Sequence, residues 1–436
     1  MRLLQITAGA GGMYCGSCLR DNALAAELLA RKHDVLLLPV YTPTLTDEAN
    51  VSDGHVFFGG ISVYLEQHVP LFRNSPAVLD RLWDAASVIK AATGRGISVD
   101  PDELGALTVS TLKGEEGFQA KEFRKLLGYL DGLPPFDLVV LPNSLLISMA
   151  PALKRALGRP VVCTLQGEDL FLGALREPYR SESMALIARH AASVDGFVAT
   201  SAYYADFMAG HLGLDRRKVH AVPLGIKLDG HRPAEGERSG PFVFGYMARI
   251  APEKGLHLLA EAYRILRRER GLGESRLAAA GYLAPEHRGY LAGIAARFRE
   301  WGLEGEFHYH GVPDRAEKIA FLQGLDALSV PSPYAEPKGL YLLEALANGI
   351  PCVEPRHGAF PEVLERTGGG LLFEPNDPQS LADQLLILAS DRAAARALGR
   401  RGAEGVRQHH SVARMADRAL EVYASVTGVS HGGVRS

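Results

Sequence analysis

The chain has 436 residues, 47% of them hydrophobic and 22% charged, a composition typical of globular proteins rather than disordered ones. Its 47 Lys and Arg residues nearly balance 50 Asp and Glu residues, and the formal net charge of −3 argues against wholesale binding of a polyanion such as nucleic acid. A chain of this length is expected to form two or three domains.

The N-terminal stretch MRLLQITAGAGG contains only a short apolar run, which predicts no signal peptide. No window approaches about 18 uninterrupted apolar residues, so no membrane-spanning segment is predicted. Four cysteines do not make a disulfide framework in a chain of this length. The expected compartment is therefore the cytoplasm.

Six short apolar runs in the first half alternate with segments of helical period. Continuous apolar strands separated by helices are typical of a parallel sheet that is covered on both faces. Residues 1–225 are therefore predicted to form an N-terminal Rossmann-like domain, with insertions at about 41–135 where the pattern is less regular. The predicted strands are RLLQIT (2–7), DVLLLPV (34–40), FDLVVLP (136–142), PVVCTL (160–165), DGFVAT (195–200) and KVHAVPL (218–224).

The alternation stops at residues 226–241, a polar stretch rich in glycine and proline that is predicted to link two domains. It resumes in 242–410, the predicted second domain, and residues 411–436 are predicted to form a helix and tail that pack back on the first domain. The predicted fold class is α/β, with two doubly wound, Rossmann-like domains facing across a cleft. The second set of strands is FVFGYMA (242–248), RLAAAGY (276–282), EFHYHG (306–311), DALSVPS (326–332), PCVEP (351–355) and GGLLFEP (369–375).

Two glutamates, Glu336 and Glu344, flank the start of a predicted helix in the stretch SPYAEPKGLYLLEALANGIP. Pro337 suits a first helical position, where its missing N–H would be unpaired anyway. A carboxylate can accept hydrogen bonds from two adjacent hydroxyls, as sugars and riboses present them. The alternative is an acid favoured by the helix dipole. Backbone donors for a ligand at this helix start are expected from Lys338, Gly339 and Leu340.

A second loop, in GYMARIAPEKGLHLLAEAY, places Arg249 and Lys254 between a strand and a helix. Two cations beside a helix N-terminus make a strong site for a diphosphate. A third loop, RHGAFPEVL, offers Gly358 and further backbone amides at another helix start. All three loops are expected at the carboxyl ends of parallel strands, where ligands of such sheets bind.

These motifs resemble those of the family 4 glycosyltransferases, which have the GT-B architecture of two Rossmann domains. EPKGLYLLE matches the E-x7-E signature of the family, and RIAPEKG matches its R-x4-K-G motif. VPLGIKLDGHRP resembles the family segment that leads into the linker, and residues 281–312 have its order of strand, helix and strand. The resemblance covers most of the second half of the chain and parts of the first.

The resemblance implies a retaining hexosyltransferase that moves a sugar from a nucleotide diphosphate sugar, with UDP- or GDP-sugar as the expected donor. In that assignment Glu344 binds the ribose hydroxyls, while Glu336 and the amides of residues 338–340 hold the sugar ring. Arg249 and Lys254 neutralise the diphosphate leaving group. No cofactor and no metal are implied. The acceptor is left open as a small molecule, a glycan or a lipid, and a lipid would bring peripheral membrane contact.

In the first half, the resemblance places Gly11 and Gly12 near the donor phosphates and the acceptor. Gln166 stands where family members often have a histidine, so it is a candidate donor-binding residue. Gln166 cannot carry a proton, and the nearby Glu168 and Asp169 are candidates for acid–base work. The stretch FFGGISVYLEQHVPLF resembles a segment of glycogen and starch synthases, a resemblance that makes a glucan one candidate for the acceptor.

Cys15 and Cys18 form a C-x-x-C pair that the family does not usually carry. Such a pair can be structural, can line an acceptor site, or can serve metal or redox chemistry. Other functions also stay open: a phosphorylase or epimerase of the same fold, and a sugar-nucleotide sensor without turnover. Lys338, where the family commonly has an aromatic residue, and Gln166 favour the sensor. The sequence does not indicate the oligomeric state.

Overall fold

The computed structural model describes residues 1–9, 15–59, 63, 66, 67, 101–234, 236 and 239–428. Residue contacts divide the chain into two compact units. One is Met1–Pro223 together with the C-terminal helix from Ala416 onward, and the other is Leu224–Met415.

The first unit contains a six-stranded parallel sheet in the order β2-β1-β3-β4-β5-β6. Its central strands LVVL and VVCTL are buried at every position, as continuous apolar runs predict for a sheet covered on both faces. All six predicted strands are confirmed: β1 (Arg2–Thr7), β2 (Asp34–Pro39), β3 (Leu138–Leu141), β4 (Val161–Leu165), β5 (Gly196–Ala199) and β6 (Val219–Ala221).

Seven described helices belong to this unit besides the C-terminal one. Two of them lie within the stretch 41–135 for which insertions were predicted. The helices are α1 (Gly16–Ala30), α2 (Pro101–Leu112), α3 (Ala120–Asp131), α4 (Met149–Leu157), α5 (Asp169–Ala174), α6 (Tyr179–Ala191) and α7 (Ala202–His211).

The second unit contains another six-stranded parallel sheet, in the order β12-β11-β10-β7-β8-β9. The six predicted strands of this half are also confirmed, so the doubly wound α/β fold class is correct. They are β7 (Phe242–Met247), β8 (Ser275–Ala280), β9 (Phe307–Tyr309), β10 (Ala327–Leu328), β11 (Cys352–Pro355) and β12 (Gly370–Phe373).

Chain order reverses between β7 and β10, which are neighbours in this sheet. Ligands of open parallel sheets bind beyond the carboxyl ends of the strands at such a switch point. The loops that follow β7 and β10 carry Lys254 and Glu336. The helices in chain order are α8 (Leu256–Arg268), α9 (Arg288–Glu300), α10 (Arg315–Gln323), α11 (Leu340–Ala347), α12 (Phe360–Thr367), α13 (Pro378–Ser390), α14 (Arg392–His409) and α15 (Val412–Thr427).

The segment predicted as a linker, 226–241, is packed at its start rather than extended and free. Ile226 forms backbone hydrogen bonds with His410 and Val412, each 2.9 Å long. His231 is buried, with its Nδ1 atom 2.8 Å from the Nδ2 atom of Asn348. The start of this segment therefore belongs to the second unit, which begins at Leu224.

Helix α15 docks on the first unit over its later turns. Arg31 of α1 forms an ion pair with Asp417, with Nη1 and Oδ1 2.6 Å apart. Tyr423 is almost completely buried, and a Cβ atom at Gly196 of β5 would lie 2.9 Å from Val426. Throughout the described residues, no helix combines the length and the hydropathy needed to cross a membrane.

Candidate functional site

Lys254 and Glu336 meet at the switch point of the second sheet. The Lys254 ammonium forms an ion pair with Oε2 of Glu336, and it also lies 3.0 Å from the hydroxyl of Tyr334. The same hydroxyl donates a hydrogen bond of 2.8 Å to Glu336 Oε2. Lys254 ends a short 3-10 helix after β7, whereas Tyr334 and Glu336 lie in the loop after β10. Tyr334 was not predicted, although its position two residues before Glu336 places both side chains in one extended loop.

Glu336 is held as a carboxylate despite its burial. Burial by itself raises the pKa of this carboxyl. The Lys254 ammonium and the hydrogen bonds from Lys254 and Tyr334 lower the pKa, and together they outweigh the effect of burial. The net pKa lies below the ordinary value for glutamate. A buried anion that is compensated in this way can accept hydrogen bonds from a ligand without first losing a proton.

Glu344 lies in the second turn of α11 and forms an ion pair that the sequence analysis did not predict. Its Oε1 atom is 2.6 Å from the ammonium of Lys318 in α10. The exposed fractions of the two side chains are 12% for Lys318 and 14% for Glu344, so solvent screens the pair only weakly. The Lys318 ammonium leaves the second oxygen of Glu344 available as an acceptor.

Arg249, the other predicted cation of this loop, is placed differently from Lys254. Its side chain is 46% exposed and pairs with Glu253, with Nη2 and Oε1 3.0 Å apart. The buried Tyr246 donates a hydrogen bond of 2.8 Å to the carbonyl oxygen of Arg249 and so fixes the backbone there. The structure therefore brings Lys254 and Glu336 into contact, while Arg249 lies at the solvent-exposed side of the same loop.

Helix α11 begins at Leu340, so Pro337 lies before the helix instead of at its first position. The reason is Gly339, whose φ of 94° is incompatible with a continuous right-handed helix. Within the described part of the chain, the backbone N–H groups of Gly339 and Leu340 donate no hydrogen bond. They remain as donors at the helix start, and Lys338, beside them, is partly exposed.

Gly358 positions the backbone of Glu336. Its φ is 63°, and a Cβ atom there would lie 2.5 Å from the carbonyl oxygen of Glu336 and 2.7 Å from its nitrogen. The next residue, Ala359, donates a backbone hydrogen bond of 2.8 Å to the same carbonyl oxygen. The loop after β11 thus supports the loop after β10, while the direct ligand contact expected for Gly358 stays a prediction.

Glu354 is a second buried carboxyl of this region that the sequence analysis did not single out. It lies on β11 with no exposed surface, and its Oε1 atom accepts a hydrogen bond of 3.2 Å from Val330 N–H. Burial raises its pKa well above the ordinary value, and the negative charge of Glu336 raises it further. Burial at this position therefore favours the neutral acid form of Glu354. Only its place in a buried strand could have suggested this.

In the first unit, Glu168 ties together the loops that follow β3 and β4. Its two carboxylate oxygens accept hydrogen bonds from Ser144 N–H (3.0 Å), Ser144 Oγ (2.9 Å) and Gln166 N–H (2.7 Å). The neighbouring Asp169 accepts a hydrogen bond of 2.7 Å from the Tyr204 hydroxyl. Both oxygens of Glu168 are thus engaged in positioning the two loops, whereas Asp169 accepts its hydrogen bond through Oδ1 alone.

Gln166 is buried directly after β4. Its Nε2 atom donates a hydrogen bond of 2.7 Å to the carbonyl oxygen of Pro142, while its Oε1 atom has no partner among the described residues. Gly11 and Gly12 lie outside the described residues, as does most of the stretch 57–72.

The two cysteines of the C-x-x-C pair lie at the start of α1, and Cys18 is completely buried. A hydrogen bond with Cys15 raises the pKa of the Cys18 thiol, and burial raises it further. A thiol of raised pKa is a poor nucleophile and a poor metal ligand. Among the described residues, no group of three or more His, Cys, Asp and Glu side chains is placed to hold a metal ion.

Two family models match the chain and together span most of it. The family described as "Glycosyl transferases group 1" matches residues 229–405, the range that contains Lys254, Glu336 and Glu344. "Glycosyl transferase 4-like domain" matches residues 22–225. The chain belongs to the family 4 glycosyltransferases of GT-B fold.

Solved GT-B structures share the architecture. Sucrose-phosphate synthase from Thermosynechococcus elongatus superposes with a TM-score of 0.71 at 16% identity, covering 98% of this chain and 100% of that one. HepE from Anabaena, solved in complex with UDP, gives a TM-score of 0.67 at 17% identity, with 98% and 100% covered. At this level of identity the similarity establishes the fold alone.

Among curated relatives, D-inositol 3-phosphate glycosyltransferase of Streptomyces avermitilis is 27% identical over 226 residues, which are 49% of this chain and 48% of that protein. N-acetyl-alpha-D-glucosaminyl L-malate synthase of Bacillus anthracis is 31% identical over 112 residues, or 26% and 29% of the two chains. The matched region thus spans at most about half of the length of these two family 4 relatives.

Proposed function

We propose that this family 4 protein is a retaining glycosyltransferase that moves a hexose from a nucleoside diphosphate sugar to an acceptor hydroxyl. The observation that supports it most is the buried ion pair of Lys254 and Glu336 at the switch point of the second sheet. In the reaction, the bond between the anomeric carbon and the diphosphate oxygen breaks and the acceptor oxygen bonds to that carbon. The acceptor proton passes to the released nucleoside diphosphate.

The proposed contacts with the sugar donor follow from the charges of the side chains in the loops after β7 and β10 and from their positions. Glu336, kept ionised by Lys254, binds sugar hydroxyls together with the N–H groups of Gly339 and Leu340. Lys254 and Arg249 face the diphosphate, where negative charge accumulates as the glycosyl bond breaks. In this proposal no protein carboxylate attacks the anomeric carbon, and the acceptor approaches from the side that the leaving group vacates.

Glu344 is proposed to bind the two ribose hydroxyls of the nucleotide. Lys318 orients the Glu344 carboxylate, because their 2.6 Å pair is largely shielded from solvent. UDP is the nucleotide to test first, since HepE, a protein of the same fold, was solved with UDP. GDP is the expected alternative.

The first experiment measures binding of UDP, GDP, ADP and dTDP by isothermal titration calorimetry to the wild type and to Glu344→Ala. We expect one nucleotide to bind the wild type and the Glu344→Ala variant to bind it at least ~10-fold more weakly, since a hydrogen bond to a charged group contributes roughly 1.5–3 kcal/mol. The matched control is Glu304→Ala, which removes an exposed carboxylate of the same unit and should leave the affinity unchanged.

The second part tests transfer itself. With the donor that the binding experiment selects, Glu336→Gln should retain nucleotide affinity and lose about 100-fold or more in kcat, the scale of a lost transition-state contact. NMR of the product would give the anomeric configuration, which should equal that of the donor. Nucleotide binding without any sugar transfer or donor hydrolysis in the wild type would favour the sensor, and an inverted product would contradict retention.

A further inference from the structure

The first unit contains a cavity of about 390 Å³ that no assigned role explains. Its walls come from the loops after β2 and β3, from α2 and from α5. Most of the side chains that line it are apolar: Val63, Leu104, Leu107, Leu145 and Phe171.

The size of this cavity argues against a packing defect. Protein interiors are close-packed, and their voids seldom exceed the size of a water molecule, which occupies roughly 30 Å³ in the liquid. The present cavity is more than ten times larger and falls in the range of about 300–1,000 Å³ that is typical of small-molecule sites. A space of this size can admit a small organic group.

The lining chemistry disfavours charged ligands. None of the described residues that line the cavity is an acid, a lysine, an arginine or a histidine. Thr108 uses its hydroxyl to donate a hydrogen bond of 2.7 Å to the carbonyl oxygen of Leu104. Phosphate and carboxylate groups need charged or several polar partners, whereas most of this wall is apolar, so the cavity fits a hydrocarbon group with a few polar contacts.

Two polar groups in the wall remain available: Oδ1 of Asn143, a buried atom that has no hydrogen-bond partner among the described residues, and the Tyr41 hydroxyl. The Tyr41 hydroxyl has no hydrogen-bond partner among the described residues, and burial alone raises its pKa above the ordinary value for tyrosine. An apolar pocket with few polar groups is the usual form of a small-molecule site, in which the polar groups set the orientation of the ligand.

The position of the cavity connects it to sugar transfer. Tyr41 follows the end of β2, and Asn143 follows the end of β3, so the cavity lies at the carboxyl ends of the parallel strands. Chain order in this sheet reverses between β1 and β3, and ligands bind at that edge in such folds. Gln166, with its unpartnered Oε1 atom, follows the end of β4 at the same edge.

We propose that this cavity binds the hydrocarbon part of the acceptor, so that the acceptor is an amphiphilic alcohol. The inference rests on the proposed function, whose donor contacts all lie in the second unit, and it assigns the acceptor to the first unit. The hydroxyl of the amphiphile attacks the anomeric carbon, the bond to the diphosphate breaks, and the hydroxyl proton leaves on the nucleoside diphosphate. The hydrocarbon group itself is chemically unchanged and supplies affinity and orientation.

The test uses the neutral fluorescent probe N-phenyl-1-naphthylamine on the full chain. We expect saturable one-to-one binding that n-octyl β-D-glucoside, below its micellar concentration, displaces and methyl β-D-glucoside does not. Leu107→Trp and Leu104→Trp place an indole into the cavity and should each weaken probe binding at least 10-fold. Two variants are used so that a folding defect in one, detected by circular dichroism, does not decide the result.

The matched control is Leu133→Trp, the same substitution at a partly buried leucine that packs on the core of this unit but does not line the cavity. Its probe affinity should equal that of the wild type. Absence of saturable binding, displacement by both glucosides alike, or equal affinities in all three Trp variants would overturn the assignment of the cavity.

A turnover experiment then connects the cavity to the acceptor. Methyl and n-octyl glycosides of glucose, galactose, mannose and N-acetylglucosamine are compared as acceptors for the selected nucleotide sugar. We expect the octyl compounds to have a KM at least 10-fold lower than the methyl compounds, and Leu107→Trp to abolish that difference. Equal use of the two series, or use of neither, would refute the acceptor role.

Nucleotide calorimetry separates the two possible failures. If no nucleotide binds, the proposed function fails, and the probe experiment still decides whether the cavity takes hydrocarbon groups. If a nucleotide binds with equal affinity to the wild type and Leu107→Trp and the octyl preference is missing, only the acceptor inference fails.

Discussion

Glu336 and Glu354 are two buried glutamates of one region whose pKa values shift in opposite directions. Glu336 has a lysine and a tyrosine as hydrogen-bond donors, which hold its pKa below the ordinary value. Among the described residues Glu354 has only the N–H of Val330 as a donor, and its burial beside the charge of Glu336 raises its pKa well above that value. The difference arises because a buried charge is tolerated only where opposite charge or several donors compensate it.

Glu354→Gln is predicted to change how stability depends on pH. Above the pKa of an unfolded glutamate, about 4.3, the folded wild type retains a proton that the unfolded chain has released. Its free energy of unfolding therefore falls as pH rises toward the folded pKa, by up to ~1.4 kcal/mol per pH unit for this group. Glutamine removes this proton uptake and keeps the shape of the neutral acid.

We expect Glu354→Gln to equal the wild type in melting temperature near pH 4 and to exceed it by a few degrees at pH 8, measured by calorimetry. Glu336 has the opposite effect on the pH dependence, since the stability that it contributes is present above the pKa of an unfolded glutamate and is lost on acidification. Because Glu336 is present in both the wild type and Glu354→Gln, its effect cancels in the comparison. Glu374→Gln, at an exposed carboxylate paired with Arg356, serves as the control and should follow the wild-type curve. Parallel curves for the wild type and Glu354→Gln would show that Glu354 is ionised.

At the scale of elements, the site depends on how three strand-to-helix loops support one another. The loop after β7 provides Lys254, the loop after β10 provides Tyr334 and Glu336, and the loop after β11 packs against the backbone of Glu336 through Gly358. Helix α10 adds Lys318 from the side. The functional groups are thus placed by contacts between successive βα units.

Gly358→Ala is predicted to be more damaging than the same change at Gly368. Both glycines have a φ of 63°, so each substitution carries a similar backbone cost of roughly 1–2 kcal/mol. No atom lies within 4 Å of a Cβ at Gly368, whereas one at Gly358 would lie 2.5 Å from the carbonyl oxygen of Glu336. Urea unfolding should show the larger loss of stability for Gly358→Ala, and calorimetry with the bound nucleotide sugar should show a loss of affinity for that variant alone. Equal effects at the two positions would mean that backbone conformation, and not the contact with Glu336, determines the cost.

For the whole molecule, the unit boundary does not follow chain order. Helix α15 comes last in the chain, yet from Ala416 onward it belongs to the first unit, where Tyr423 is almost completely buried. Burial raises the pKa of this tyrosine to about 12, so it stays neutral over the physiological range. The first unit therefore depends for part of its core on the C-terminal end of the chain.

Tyr423→Ala is predicted to destabilise the first unit by ~3–5 kcal/mol, the range for deleting a large buried aromatic side chain. The expected result in urea unfolding is an earlier transition, while nucleotide affinity, which belongs to the second unit in our proposal, stays unchanged at low urea. Glu421→Ala is the control on the same helix, because it removes only an exposed ion pair with Arg418. A midpoint equal to that of the control would contradict the docking of α15 on this unit.

The sequence by itself determined the twelve strands, their alternation with helices and the placement of Arg249, Lys254, Glu336 and Glu344 in or beside strand-to-helix loops. It could do so because apolar runs, helical periodicity and glycine or proline at turns are local properties of the chain. The E-x7-E and R-x4-K-G motifs were informative for the same reason.

Only the tertiary structure decided which of these groups touch. Lys254 and Glu336 are 82 positions apart, and Lys318 and Glu344 are 26 apart, so their pairing depends on strand order and helix packing. Three other features likewise depend on neighbours that are distant in sequence. They are the raised pKa of Glu354, the packing of the first residues of the predicted linker, and the cavity beside Tyr41. Contacts of this kind have no local signature, because burial and charge compensation are properties of the assembled core.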